Sequence, residues 1–189
     1  MNTPNKLTVL RMILVPFFLA LLMINQIPHR FLFALLVFAA ASFTDMLDGH
    51  LARKNNQVTT FGKFLDPLAD KILVLSAMIC FIELGYASSV AVVIIIAREF
   101  MVTSIRLVAV SSNGRVIAAS WIGKLKTIIQ MLSVISILML CTVDQFVPLP
   151  AWLEIGAVSH TLMWISAVIT IISGVDYIWK NWDTVSETR

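Results

Sequence analysis

The sequence predicts an all-α, polytopic membrane protein with six transmembrane helices and both termini in the cytoplasm. Three observations carry that prediction. Of 189 residues, 59% are hydrophobic and 13% charged, whereas soluble globular domains run at about 45–50% and about 25%. Apolar runs recur along the whole chain, which excludes a secretory leader followed by a soluble domain. The cations gather at alternate breaks in those runs, the asymmetry that bilayer insertion produces. At about 20 residues per crossing the length accommodates about six spans and no separate soluble domain. Residues 1–189 are therefore read as a single membrane domain. Strands are excluded because an open sheet edge in lipid leaves backbone groups unpaired, and barrel-like alternation is missing.

Taken in order, the first helix is expected over 7–24, an apolar run interrupted by Thr8 and Arg11, with a kink at Pro16. Asn25 to Arg30, with Pro28, ends it. The second helix, 31–49, is apolar through Phe43 and turns acidic at Asp45 and Asp48. The third, 62–82, begins acidic and becomes apolar from Ile72. A turn around Gly85 to Ser88 leads to the fourth, 87–105, and the fifth follows at 119–141. Val143 to Pro150 separates it from the sixth, 152–179, where Trp152, Trp164, Trp179 and Trp182 are expected at or near the helix ends as interfacial anchors. The short breaks favour antiparallel neighbours. His50 to Phe61 and Arg106 to Ala118 read as loops. Cys80 and Cys141 sit in apolar runs without ligand spacing and read as inert thiols.

Of fourteen Lys and Arg residues, Arg30 alone falls beside the short breaks. The opposite side, with the termini and the two longer connections, is expected to face the cytoplasm from a plasma-membrane location. The net charge of +3 does not suggest nucleic-acid binding.

Four aspartates then stand where an apolar protein should avoid them. Asp45 and Asp48 are three residues apart and Asp66 and Asp70 four apart, so each pair shares a helix face, and a hairpin of helices two and three would bring the faces together. An ionised Asp near mid-bilayer costs on the order of 3 kcal/mol, and mutual repulsion adds to that. Protonation, pairing with Arg53, Lys63 or Lys71, or divalent cations in a wet cavity would each relieve the cost. Hard oxygen ligands without His or Cys suit Mg²⁺, Mn²⁺ or Ca²⁺, and two such ions can clamp a diphosphate. Gly49, Ala52 and Gly62 keep the segment small enough for close approach by a backbone or ligand. Pro67 either opens the third helix toward water or marks its first turn.

The run Asp45-x2-Asp48-Gly49-x2-Ala52-Arg53-x8-Gly62-x3-Asp66-x3-Asp70 resembles the signature of the CDP-alcohol phosphatidyltransferase family, without departure at its eight positions. Thr3-Pro4-Asn5-Lys6-Leu7-Thr8 with Arg11, Ala97-Arg98-Glu99-Phe100, and Trp121 through Thr127 look like the bacterial branch that makes phosphatidylglycerophosphate. The resemblance implies transfer of a phosphatidyl group from CDP-diacylglycerol to the 1-hydroxyl of glycerol 3-phosphate, with release of CMP. It also implies that Asp45, Asp48, Asp66 and Asp70 ligate two divalent ions, Mg²⁺ or Mn²⁺, with Asp70 also the general base. Asn5, Thr8, Gly49, Ala52 and Arg53 would bind the cytidine nucleotide. Membrane lipids surround such proteins, and a homodimer is expected.

Arg98, Arg106, Lys124 and Lys126 lie at similar predicted depth on helices four and five and are candidates to bind the acceptor's phosphate. The competing reading is topological, since cations at cytoplasmic helix ends also meet anionic lipid. Glu99 is read as the ion-pair partner of Arg98 and given no catalytic task. His50 reads as solvated loop, and His29 and His160 as interface or packing residues. Inositol phosphate or serine are alternative acceptors. A cation transporter built on the aspartates is a reading of another class, opposed by the lack of a polar path through the far half of the helices.

Overall fold

A computed structural model describes residues 3–55, 60–113, 120–150 and 153–182, with side-chain surroundings described for 9–44, 71–106, 120–150 and 153–182. Among these residues the elements are six helices and no strand: α1 (Thr3–Met23), α2 (Arg30–Asn55), α3 (Thr60–Glu83), α4 (Ser89–Asn113), α5 (Trp121–Phe146) and α6 (Ile155–Lys180). The all-α class and each expected helix are present. The ends differ in a consistent way. α2 continues through Gly49 to Asn55, so His50 lies in helix and not in a loop. α4 runs past Arg106 to Asn113, and α5 reaches Phe146. A change from apolar to polar residues ends a hydrophobic run without ending a helix. The roughly 1 kcal/mol cost of Gly49 is outweighed when Leu51, Ala52 and Arg53, all good helix formers, follow it. α3 begins at Thr60, which places Pro67 in its interior and removes the first-turn reading.

α1 packs on both α2 and α3, α2 on α5, α5 on α6, α6 on α4, and α3 closes the ring against α4 and α5. Among the described residues α2 and α3 meet mainly through α1; the expected hairpin contact, at Asp45, Asp48, Asp66 and Asp70, falls outside the residues whose surroundings are described. Phe18 and Leu22 of α1, Phe38 of α2, Phe81 of α3, Ile95 of α4, Ile137 of α5 and Met163 of α6 are fully buried. The Phe18 and Phe38 rings lie 5.9 Å apart at a tilt of 47°, a favourable offset for aromatic pairs. Cys80 and Cys141 are free and buried, as expected.

Outside this core the usual polarity is reversed. α6 buries Ser159, Ser166, Thr170 and Ser173, while Trp164, Ile165, Val168, Ile172 and Val175 are exposed. Such a surface suits lipid, where polar groups must find partners inside the protein. α5 and α6 are long and apolar enough to cross a membrane, and Val9–Met23 and Arg30–Thr44 are shorter apolar stretches. Trp121, Trp179 and Trp182 are exposed near helix ends, but Trp164 sits well inside α6, and Trp152 lies outside the described residues.

The three short turns meet at one end of the bundle, called here the turn end. His29, with φ 53°, stacks on Phe146 at 4.6 Å, and His160 bonds the Gly85 carbonyl at 3.2 Å. Gly85 has φ 76°, a conformation that suits glycine at the α3–α4 turn. Burial pushes the phenol of Tyr86 in this turn up to about 12, so it remains a neutral O–H group.

Candidate active site

Asp45 and Asp48 stand on the second half of α2, and Asp66 and Asp70 on the first half of α3, all within continuous helix. Helical rise separates the first pair by about 4.5 Å and the second by about 6 Å along their axes. Their side chains, with those of Asn5, Thr8, Ala52 and Arg53 and the surroundings of Gly49, lie outside the described residues. Among the described residues no three of His, Cys, Asp and Glu gather as a metal site. The four carboxylates themselves are a hard-oxygen donor set that fits Mg²⁺ or Mn²⁺ in kind.

The described chemistry begins at the next residue along α3. Lys71, directly after Asp70, reaches across to α4. Its ammonium donates to Thr103 Oγ1 at 2.5 Å and pairs with Glu99 Oε2 at 3.3 Å. Glu99 Oε1 receives Arg98 Nη1 at 3.2 Å and also Lys126 Nζ of α5. Arg98 turns its other terminal nitrogen to Ser173 Oγ of α6 at 2.7 Å. One buried carboxylate thus gathers cations from three helices, and through Arg98 it engages a fourth. The side chains of Glu99 and Lys126 are only 6% and 3% exposed, and that of Arg98 10%. Breaking a buried pair by deleting one partner costs about 3–5 kcal/mol, because the remaining charge stays behind unpaired.

Two features let the helices approach closely enough. A Cβ at Gly174 would meet Arg98 Cγ at 3.1 Å, so the bare backbone there leaves room for the arginine stem. Ser120 caps α5 by accepting from Gly123 N at 3.1 Å, which starts the helix that carries Lys126. The register of α4 against α6 is held twice, because Arg98–Ser173 and His160–Gly85 each join residues 75 apart in sequence. With 13 residues of helix and turn between the two bonds, the cluster lies about 20 Å from the turn end, inside the bundle and not at its rim.

Of the expected acceptor residues, the structure brings Arg98 and Lys126 together on Glu99. Lys124 is exposed, and its two-residue offset from Lys126 puts it on another face of α5. Arg106 lies one α4 stretch further from the turn end, its guanidinium 5.5 Å from the Tyr177 ring centroid. Nε of Arg98 and Nε of Arg106 find no acceptor among the described residues. Glu99 is Arg98's partner as expected, and Lys71 and Lys126 join it.

Sequence reasoning missed Lys71, Thr103 and the contribution of α6. A signal existed: Ser159, Ser166, Thr170, Ser173 and Gly174 recur at helical spacing. Ser173 and Gly174 face Arg98 of α4, and Ser166 and Thr170 form a seam with α5 in which Ser133 and Ser166 hydroxyls lie 2.9 Å apart and Gln130 donates to Thr170 at 3.1 Å. The seam runs through the middle of α5 and α6, and its polar groups bond one another across the helix pair. Thr170 closes the chain of bonds by donating to the Ser166 carbonyl at 2.6 Å, so the seam binds two helices together.

Comparison with known proteins places this arrangement. The sequence profile described as CDP-alcohol phosphatidyltransferase matches residues 1–172, and the chain belongs to that family. Its relatives narrow the class further. A CDP-diacylglycerol–glycerol-3-phosphate 3-phosphatidyltransferase of Bacillus subtilis (strain 168) is 37% identical over 199 residues, covering 100% of this chain and 99% of the relative. A protein of the same name from Rickettsia typhi is 40% identical over 180 residues, covering 93% of this chain and 94% of the relative. A probable phosphatidylglycerophosphate synthase of Mycobacterium tuberculosis (strain ATCC 25618 / H37Rv) is 41% identical over 180 residues, 94% of this chain and 80% of the relative.

Proposed function

We propose that this chain transfers the phosphatidyl group of CDP-diacylglycerol to the 1-hydroxyl of glycerol 3-phosphate, giving phosphatidylglycerophosphate and CMP. The observation that carries the reading is the junction at Asp70–Lys71, where the acidic segment of α2 and α3 runs directly into a cluster of Lys71, Arg98 and Lys126 gathered on buried Glu99. Carboxylates suit a diphosphate donor through divalent ions, and cations suit the phosphate of the acceptor. The names of full-length relatives support glycerol 3-phosphate as that acceptor.

In this reading Asp45, Asp48, Asp66 and Asp70 hold two ions, Mg²⁺ or Mn²⁺. Ions held there would supply positive charge to offset that of the diphosphate and of the departing CMP. Asp70 accepts the proton of the acceptor hydroxyl as its oxygen bonds to the phosphatidyl phosphorus and the bond to CMP breaks. Asn5, Thr8, Gly49, Ala52 and Arg53 hold the nucleotide. Arg98, whose Nε has no acceptor among the described residues, and Lys126 fix the acceptor phosphate, with Arg106 and Lys124 drawing it in from water.

The apolar exposed faces and buried polar seam support a six-span protein in the plasma membrane. The excess of cations opposite the turn end supports cytoplasmic termini and a site open to the cytoplasm. The protein acts as a homodimer in this proposal. Purified protein given CDP-diacylglycerol, Mg²⁺ and a panel of alcohols should release CMP with glycerol 3-phosphate. No release with any alcohol refutes the proposal, and release with inositol phosphate or serine alone reassigns the acceptor.

A further inference from the structure

Glu99 sits where three cations would otherwise repel one another. Its two oxygens are divided, Oε1 to Arg98 and Lys126 and Oε2 to Lys71, so the carboxylate fixes the separations among all three. Lys71 is pinned a second time by Thr103, whose own hydroxyl donates to the Glu99 carbonyl at 2.7 Å. Because Lys71 follows Asp70 in the same turn of α3, anchoring its side chain to α4 also fixes the backbone that carries Asp70. Three cations against one carboxylate leave a positive excess among these described side chains, so Glu99 orders the cluster without neutralising it.

We propose that Glu99 is a positioning residue, holding Lys71, Arg98 and Lys126 so that the acceptor's phosphate and the α3 turn bearing Asp70 keep a fixed relation. The proposal rests on the acceptor reading above, and it assigns to Glu99 and Lys71 a task beyond ion pairing. Two physical effects of Glu99→Gln oppose each other. Electrostatics alone would strengthen binding of a phosphate dianion, since a competing negative charge is gone. Loss of position would weaken it, because Arg98 and Lys126 would no longer be aimed at the phosphate.

The sign of the change decides between them. Initial rates of CMP release, with each substrate varied in turn, are measured for the full chain and for E99Q and E99D, alongside thermal stability in detergent. E99Q is expected to raise the KM for glycerol 3-phosphate by about tenfold while the KM for CDP-diacylglycerol stays within about twofold, and E99D to recover part of the loss. A lowered KM for glycerol 3-phosphate, or equal changes in both KM values that follow the loss of stability, overturns the proposal. If E99Q does not fold, E99D decides, with a rise of about threefold in the acceptor KM expected and an unchanged value overturning it. Failure of the unmodified chain to release CMP with glycerol 3-phosphate would instead strike the proposed function, so the two failures are distinct.

Discussion

At the turn end, Arg30 donates to the Leu22 carbonyl at 3.1 Å and His160 bonds the Gly85 carbonyl at 3.2 Å, each a single side chain meeting a backbone acceptor left over where a helix stops. About 20 Å away, Lys71, Arg98 and Lys126 converge from three helices on the one buried carboxylate of Glu99, Lys71 from a partly exposed position. The first arrangement needs no explanation beyond stability. The second does, because apolar residues of similar volume often serve stability as well as or better than a buried ion pair. On the proposed function, the excess of positive charge in that cluster, one residue along α3 from Asp70, suits an anionic substrate. The contrast teaches where chemistry resides in this bundle: variants at the charged end should change kinetic constants, and variants at the turn end only stability.

The largest expected effect is that of Asp70→Asn. Removing the proton acceptor should lower kcat by about 10²–10⁴-fold while binding of CDP-diacylglycerol, followed by equilibrium binding of a labelled lipid, is retained. An unaltered rate would remove the base from Asp70 and detach the catalytic step from the charged end. Gly174→Ala comes next. Its new Cβ would press on Arg98 Cγ at 3.1 Å, so the acceptor KM should rise by about threefold, with the lipid KM unchanged. A purely structural glycine would show a stability loss and no such split. The smallest effect belongs to His160→Ala at the turn end, which gives up one hydrogen bond worth about 1 kcal/mol. Thermal denaturation should fall by about 2–4 °C with both KM values unmoved. A kinetic effect there would break the division between the two ends.

That division was only partly legible in the sequence. The six helices were, because apolar runs of bilayer length leave few alternatives, and so was the pairing of Arg98 with Glu99 next to it. Helix ends were not. α2 and α4 continue past His50 and Arg106 because leucine, alanine and arginine sustain a helix whether or not lipid surrounds it. The partners of Glu99 from α3 and α5 were hidden for another reason. Lys71 and Lys126 lie far from it along the chain, and only the closure of the ring by α3 against α4 and α5 brings them to it. Lys124 and Lys126 looked equivalent in the sequence, yet burial separates them, one exposed and one 3% exposed. α6 carried no family motif that sequence reasoning matched, but its small polar residues recur at helical spacing, and Ser173 and Gly174 are what seat Arg98.

The central claim is that carboxylates of α2 and α3 share divalent ions beside the cationic cluster. Titration of the full chain with Mn²⁺, read by electron paramagnetic resonance in the presence of CDP-diacylglycerol, tests it most directly. The account predicts about two ions per chain, with Asp45→Asn on α2 and Asp66→Asn on α3 each weakening binding by at least about tenfold. Binding that one of these substitutions abolishes and the other leaves untouched, or that neither affects, would show that the two helices do not share the ions.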